Sequence, residues 1–121
     1  SVPALVAPPT PPPPPPVPTP GEKAMRDASA SERAGDLPRA LATYRTAEAM
    51  GQAGAAQKVE QIRTTLVSRY TLAARNAFTK QELDGAIANW QHVLDLDPAN
   101  TTARSELDRA KSMKVKLGGV K

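Results

Sequence analysis

From Gly21 onward, apolar residues recur every three or four positions with turn chemistry between the runs, the mark of short amphipathic helices. A first helix is predicted over about Glu22 to Ala34, ended by Gly35-Asp36. Pro38 then sits in the first turn of a second helix, where its missing N–H costs nothing. Ala40, Leu41, Tyr44 and Ala47 carry that helix to about Met50, and Gly51 and Gly54 supply its stop. Val59, Ile62, Leu66, Tyr70, Ala73, Ala74 and Ala77 keep helical spacing to about Lys80. This run predicts the longest helix of the chain, with a kink or break near Leu66 left open. A fourth helix is expected from about Asp84 to Leu96, with Ala86, Ile87, Trp90, Val93 and Leu94 on one face, ended by Asp97-Pro98. Thr101 or Thr102 is expected to cap a fifth, running to about Leu117, with Gly118-Gly119 in a frayed tail.

Ahead of Gly21 the pattern vanishes. Eleven of the 13 prolines fall in the first 20 residues, which carry no charge. Proline lacks the donor N–H and pushes its neighbours into extended geometry, so residues 1–20 read as a linker that forms neither helix nor central strand. As polyproline II, at about 3.1 Å per residue, it would hold the helical body roughly 50–60 Å from whatever precedes it. SH3-, WW- and EVH1-type grooves recognise the same conformation. No Arg or Lys flanks this run to orient it in such a groove, so the spacer is the preferred reading.

Of the 121 residues, only 21–121 are left to build a core, enough for one domain. Four aromatics (Tyr44, Tyr70, Phe78, Trp90) and abundant alanine argue against a β-sandwich or barrel and for closely packed helices, an all-α class. The absence of cysteine removes disulfides, thiolate metal sites and a cysteine nucleophile, and leaves the compartment open. No apolar run is long enough to span a bilayer. Residue 1 is Ser, so any targeting segment is expected upstream or removed, and the chain reads as a processed or excised piece.

The chain also repeats itself. A shift of 46 residues lays the stretch from Asp36 to Tyr44 over that from Glu82 to Trp90, matching Ala40 with Ala86, Leu41 with Ile87 and Tyr44 with Trp90. Ala47 then falls over Val93, and Ala28 over Ala74. A large ring four residues after an alanine on the second helix fills the gap that a small residue on the first leaves open, so the two helices cross closely and antiparallel.

These residues resemble the tetratricopeptide repeat, a 34-residue helix-turn-helix unit. Residues 67–100 are similar to that unit through Tyr70, Ala73 and Ala74, Phe78, Ala86, Trp90, Leu94, Leu96 and Pro98. They depart from it at Ala77, Gln81, which stands at the turn glycine, and Val93. Residues 21–54 look like a weaker copy through Ala28, Gly35, Ala40, Tyr44 and Ala47, lacking the early aromatic and the closing proline. A connecting or extended helix over 55–66 accounts for the longer period, and residues 101–121 resemble the polar capping helix such arrays need, followed by a basic tail.

The resemblance implies a tetratricopeptide-like α-solenoid fragment that binds a partner peptide or helix in the groove lined by its first helices. Carried over, the groove positions are Met25, Ser29, Glu32 and Arg33 in the first copy and Ser68, Thr71, Arg75, Phe78 and Thr79 in the second. An arginine beside Phe78 suits a carboxylate held by its fork while the ring packs an apolar side chain. Arg75 solvated and Phe78 merely packed on a neighbouring helix is the plainer reading of the same residues. Two repeats make a shallow groove, so self-association or packing on another domain is also expected.

Charge points elsewhere. Residues 21–100 sum to zero, and the whole net charge of +4 lies in 101–121, where Arg104, Arg109, Lys111, Lys114, Lys116 and Lys121 face only Glu106 and Asp108. Arg109, Lys111, Lys114, Lys116 and Lys121 form an electrostatic tail for nucleic acid or an anionic surface. The tail has no aromatic for stacking and too few apolar residues for an interfacial helix, and cations complement any helix C-terminus. His92, the one histidine, lies three residues before Asp95, but two ligands without a third make no metal site. No Ser/His/acid set and no phosphate loop is present, so neither catalysis nor a cofactor is expected.

The expected function is a non-catalytic adaptor or scaffold for a protein partner, displayed on a proline-rich arm. Periplasm or cell envelope is favoured over cytoplasm, because proline-rich spacers are reminiscent of bacterial envelope proteins. A nucleic-acid or anionic-surface binder acting through the basic tail is the alternative.

Overall fold

The computed structural model describes residues 2–119. Over this range the chain is all-α: α1 (Pro20–Arg33), α2 (Leu37–Ala49), α3 (Ala55–Thr79), α4 (Leu83–Leu96) and α5 (Thr101–Gly119) follow one another through short connections, each packed on the next. Residues 2–19 adopt neither helix nor strand and are exposed throughout.

The start of α1 and both ends of α5 differ from the sequence reading, and the continuity of α3, left open there, is decided. Pro20 belongs to α1 rather than to the linker: the Thr19 side chain accepts from the Glu22 N–H, and a proline in the first turn forfeits no intrahelical bond. α3 runs unbroken from residue 55 to 79, because Val59, Ile62 and Leu66 pack on the first hairpin while Ala74 and Ala77 pack in the second. α5 is capped by Asn100, whose Oδ1 accepts from the Ala103 N–H at 2.8 Å, and not by Thr101 or Thr102, which already lie inside the helix. The helix also continues through Gly118 and Gly119 where fraying was expected.

The core is built from alanines meeting large rings. Ala28, Leu37, Ala40, Leu41, Tyr44, Ile62 and Leu66 form one cluster; Ala74, Trp90, Val93, Ala103 and Leu107 form a second. Tyr70 packs against both and joins them. Among the described residues no polar or charged side chain is fully buried, so stability comes from apolar packing and backbone bonding. Arg63 ties the N-terminal half of α3 to the end of α4: its guanidinium donates to the Leu96 carbonyl and grips Glu60 at 2.6 and 2.9 Å. That hydrogen-bonded guanidinium holds the Glu60 carboxyl below the usual range.

Candidate functional site

The alanines and rings at the centre of the repeat pattern face inward, while Gly35, Ala73 and Pro98 are exposed. Ala28, Ala40, Ala74 and Ala86 have no exposed surface, Tyr44 and Trp90 are 1% exposed, and Tyr70 is half-buried between the clusters. Pro98 is exposed in the connection to α5. Tyr44 is set by more than packing, since its hydroxyl donates to Glu32 Oε1 at 2.8 Å. Burial, then the adjacent Glu32 carboxylate, push the phenol up to about 12, while Ser29 and Arg33 on α1 pull weakly the other way. Lys58 lies over the same ring at 5.9 Å and reaches Glu32 at 3.5 Å.

Two of the four first-copy groove positions, Glu32 and Met25, are engaged within the molecule. Glu32 serves Tyr44 and Lys58. Met25 packs against Ala24, Ala47 and Ala55, so it lines the core where the resemblance assigns it to a groove. Ser29 is half-buried and Arg33 exposed.

In the second copy three of the residues meet. Arg75, Phe78 and Thr79, spaced by three and four on α3, share a helix face, and the Thr79 hydroxyl donates to the Arg75 carbonyl at 3.0 Å. Together with Trp90, Glu106 and Arg109 they surround a cavity of about 360 Å³ in the seam between α3 and α5. Arg75 is exposed and has no carboxylate within 4.0 Å among the described residues. Ser68 is exposed and Thr71 half-buried on earlier turns of α3.

Two features, one in this seam and one apart from it, escape local sequence reasoning. Arg109, assigned to the electrostatic tail, lies over the Phe78 ring with its guanidinium carbon 5.0 Å from the centroid, and reaches Glu106 at 3.8 Å. Only the packing of α4 on α3 and of α5 on α4 brings these two residues of distant helices together. A wider bay of about 1000 Å³ opens along the N-terminal half of α3, lined by Gln57, Gln61, Thr64, Thr65 and Arg69 among others. Its carboxylates Glu32 and Glu60 are already paired with Lys58 and Arg63. The polar run in the connecting segment was its one signal.

His92 stacks on Tyr70, ring centroids 4.7 Å apart, and among the described residues no three His, Asp or Glu side chains gather as metal ligands would. In the basic segment Lys114 reaches Asp84 at 2.6 Å across to α4, Lys111 and Lys116 are exposed, and Lys121 lies outside the described residues. Among the described residues no helix is long and apolar enough to cross a membrane. No family model, no curated protein and no solved structure matches the chain.

Proposed function

We propose that this chain is a non-catalytic protein-recognition module, a short tetratricopeptide-like scaffold whose partner-binding surface is the α3–α5 seam. One observation carries the reading: Arg75, Phe78 and Thr79 border a single open cavity in which, among the described residues, the exposed Arg75 guanidinium has no carboxylate within 4.0 Å, Glu106 on the same wall lying 3.8 Å from Arg109 instead. A cation left free beside an aromatic ring suits recognition of a side chain that couples charge to apolar surface. The proline-rich arm, exposed over residues 2–19, gives the module reach, as an assembly spanning a gap such as the bacterial cell envelope requires.

The alternative, a nucleic-acid or anionic-surface binder, draws on Lys111 and Lys116, both exposed. It is the weaker reading because Arg109 of the same cluster is engaged at Phe78 and the basic segment has no aromatic for stacking.

The test is a comparative pull-down from native extract with the full chain and its Arg75→Glu, Phe78→Ala variant, the fold of each checked by circular dichroism. A specific protein retained by the parent and lost by the variant is expected. Equal recovery by both, with release by moderate salt, overturns the reading in favour of the basic segment.

A further inference from the structure

The proline-rich arm is built to stay off its own body. Every residue from 7 to 20 is a proline or stands immediately before one, so each has its φ fixed by its own ring or its helical region closed by the next ring. No glycine relieves the run. Thr19, at the joint with α1, is itself extended, with φ of −66° and ψ of 160°.

Beyond that stiff run the arm is apolar: Val2, Leu5 and Val6 are 92%, 99% and 90% exposed. At about 3.1 Å per residue, Leu5 stands roughly 40 Å from Thr19. Large apolar side chains held in water at that distance gain by burial on a surface other than their own core.

The complementary surface lies at the other end of the molecule. Ala24 on α1 packs with Ala55 at the start of α3, and Glu32, further along α1, reaches Lys58, so the two helices run in the same direction. The arm therefore leaves where α3 begins. Phe78 and Thr79 lie at the opposite end of α3, roughly 35 Å away at about 1.5 Å per residue. There they join Gln81, Leu83, Met113 and Leu117 around a second cavity of about 360 Å³.

All six of these residues are uncharged, Met113 is only half-buried, and Leu117 is exposed. The charges around them are opposed in sign: Arg109 reaches Glu106, Lys114 reaches Asp84, and Lys80 and Glu82 flank Gln81. Nothing there demands a charged occupant, and residues 2–19 carry no charge. The Gln81 side-chain amide supplies donors for the backbone carbonyls that a polyproline II strand leaves unpaired.

We propose that the segment Val2–Val6 of one copy docks in this cavity of a second copy, with Leu5 inserted between Phe78, Leu83, Met113 and Leu117. The stiff joint at residues 7–20 directs the segment away from the cavity of its own chain, which leaves a neighbouring copy as the occupant's source. Each copy carries both halves of the contact, so copies exchange arms in pairs or join head to tail. Self-docking goes beyond the recognition reading, which concerns the Arg75 side of Phe78.

Sedimentation velocity of the full chain, from about 10 µM to about 1 mM, tests it. Association that grows with concentration is expected, and Leu5→Ala should weaken it roughly tenfold. Leu5→Asp and Leu117→Asp should each leave the chain monomeric. Mixed together they should recover a one-to-one pair, since one supplies an intact cavity and the other an intact arm. Leu5 packs against nothing, so its variants cannot disturb the helices, and circular dichroism checks the Leu117 variant. A synthetic peptide of residues 2–19 in excess should dissolve the association of the parent without any substitution. A parent that stays monomeric overturns the proposal, whether its arm binds its own body or a different protein. So does association that survives Leu5→Asp, that ignores the peptide, or that moderate salt abolishes. The Leu5→Asp chain keeps the Arg75 cavity and should still capture its partner in the pull-down, so self-docking and the recognition reading fail separately.

Discussion

The two helical hairpins of this chain reach the same shape by opposite means. In α1–α2 the turn is well made. Gly35 takes φ of 83°, the Asp36 N–H closes on the Ser31 carbonyl, and the Asp36 side chain caps α2 by accepting from the Arg39 N–H. Its wedge, Tyr44, needs a polar partner for the hydroxyl and finds Glu32. In α3–α4 the wedge is the larger Trp90, while the turn is poor. Gln81 is forced to φ of 59°, the only non-glycine residue with positive φ among those described, and Glu82 makes no side-chain cap bond. The same 5→2 and 6→1 pattern of backbone bonds closes both turns, with Glu82 N–H on the Ala77 carbonyl in the second. Packing of a large ring against a small residue therefore sets the hairpin, and turn chemistry adjusts its stability.

If packing is dominant, truncating the wedge is the most damaging change. Trp90→Ala should cost about 3–5 kcal/mol in a denaturant melt, and Tyr44→Ala a comparable amount. Both rings are 1% exposed and each is clustered with a fully buried alanine, Ala74 or Ala28. A loss below about 1 kcal/mol at Trp90 would break the comparison, since the ring would then fill no gap between α3 and α4.

The shared pattern also explains what the sequence could reveal. Helix spacing, the stops at Gly35 and Gly51, and the pairing of Ala28 with Tyr44 and Ala74 with Trp90 are local signals, governed by residues a few positions apart or by the repeat itself. The seam is different. Arg75, Phe78 and Thr79 share a helix face by spacing alone, but the cover of Phe78 by Arg109 depends on how α5 lies on α3. Met25 depends on the fold in the same way, since its packing against Ala47 and Ala55 is set by α2 and α3 together. The Asn100 cap lay within reach of local rules. Asn is a better cap than Thr, and Asn100 stands immediately before the helix.

The polar side of the comparison lies at Tyr44. Tyr44→Phe keeps the packing and removes the hydroxyl's bond to Glu32, so it should cost about 1 kcal/mol near neutral pH, far less than the alanine variant. Alkali sharpens this. The folded phenol titrates near 12 against an ordinary value of 10, so its contribution to stability is complete below pH 10 and is lost as pH rises through about 12. Melts of the parent and Tyr44→Phe across pH 9–12 should converge as pH increases and cross by about pH 11, because the parent loses about 1.4 kcal/mol per pH unit between 10 and about 12, which outweighs the neutral-pH advantage. Parallel curves would mean that Tyr44 ionises as readily folded as unfolded.

The smallest effects belong to the turns, and a reciprocal exchange measures them. Gln81→Gly should relieve the left-handed strain, offset in part by the greater freedom glycine gives the unfolded chain, for a net gain of about 0.5–1 kcal/mol. Gly35→Gln should lose about 1 kcal/mol, because the position has open space around it and the backbone conformation alone resists a side chain. In the variant carrying both exchanges the two changes should nearly cancel and add independently, the sites lying in separate hairpins. If Gln81→Gly instead destabilises, the glutamine side chain beside Leu83, Met113 and Leu117 makes a packing contribution larger than its backbone strain, and the second turn is not the weak copy of the first.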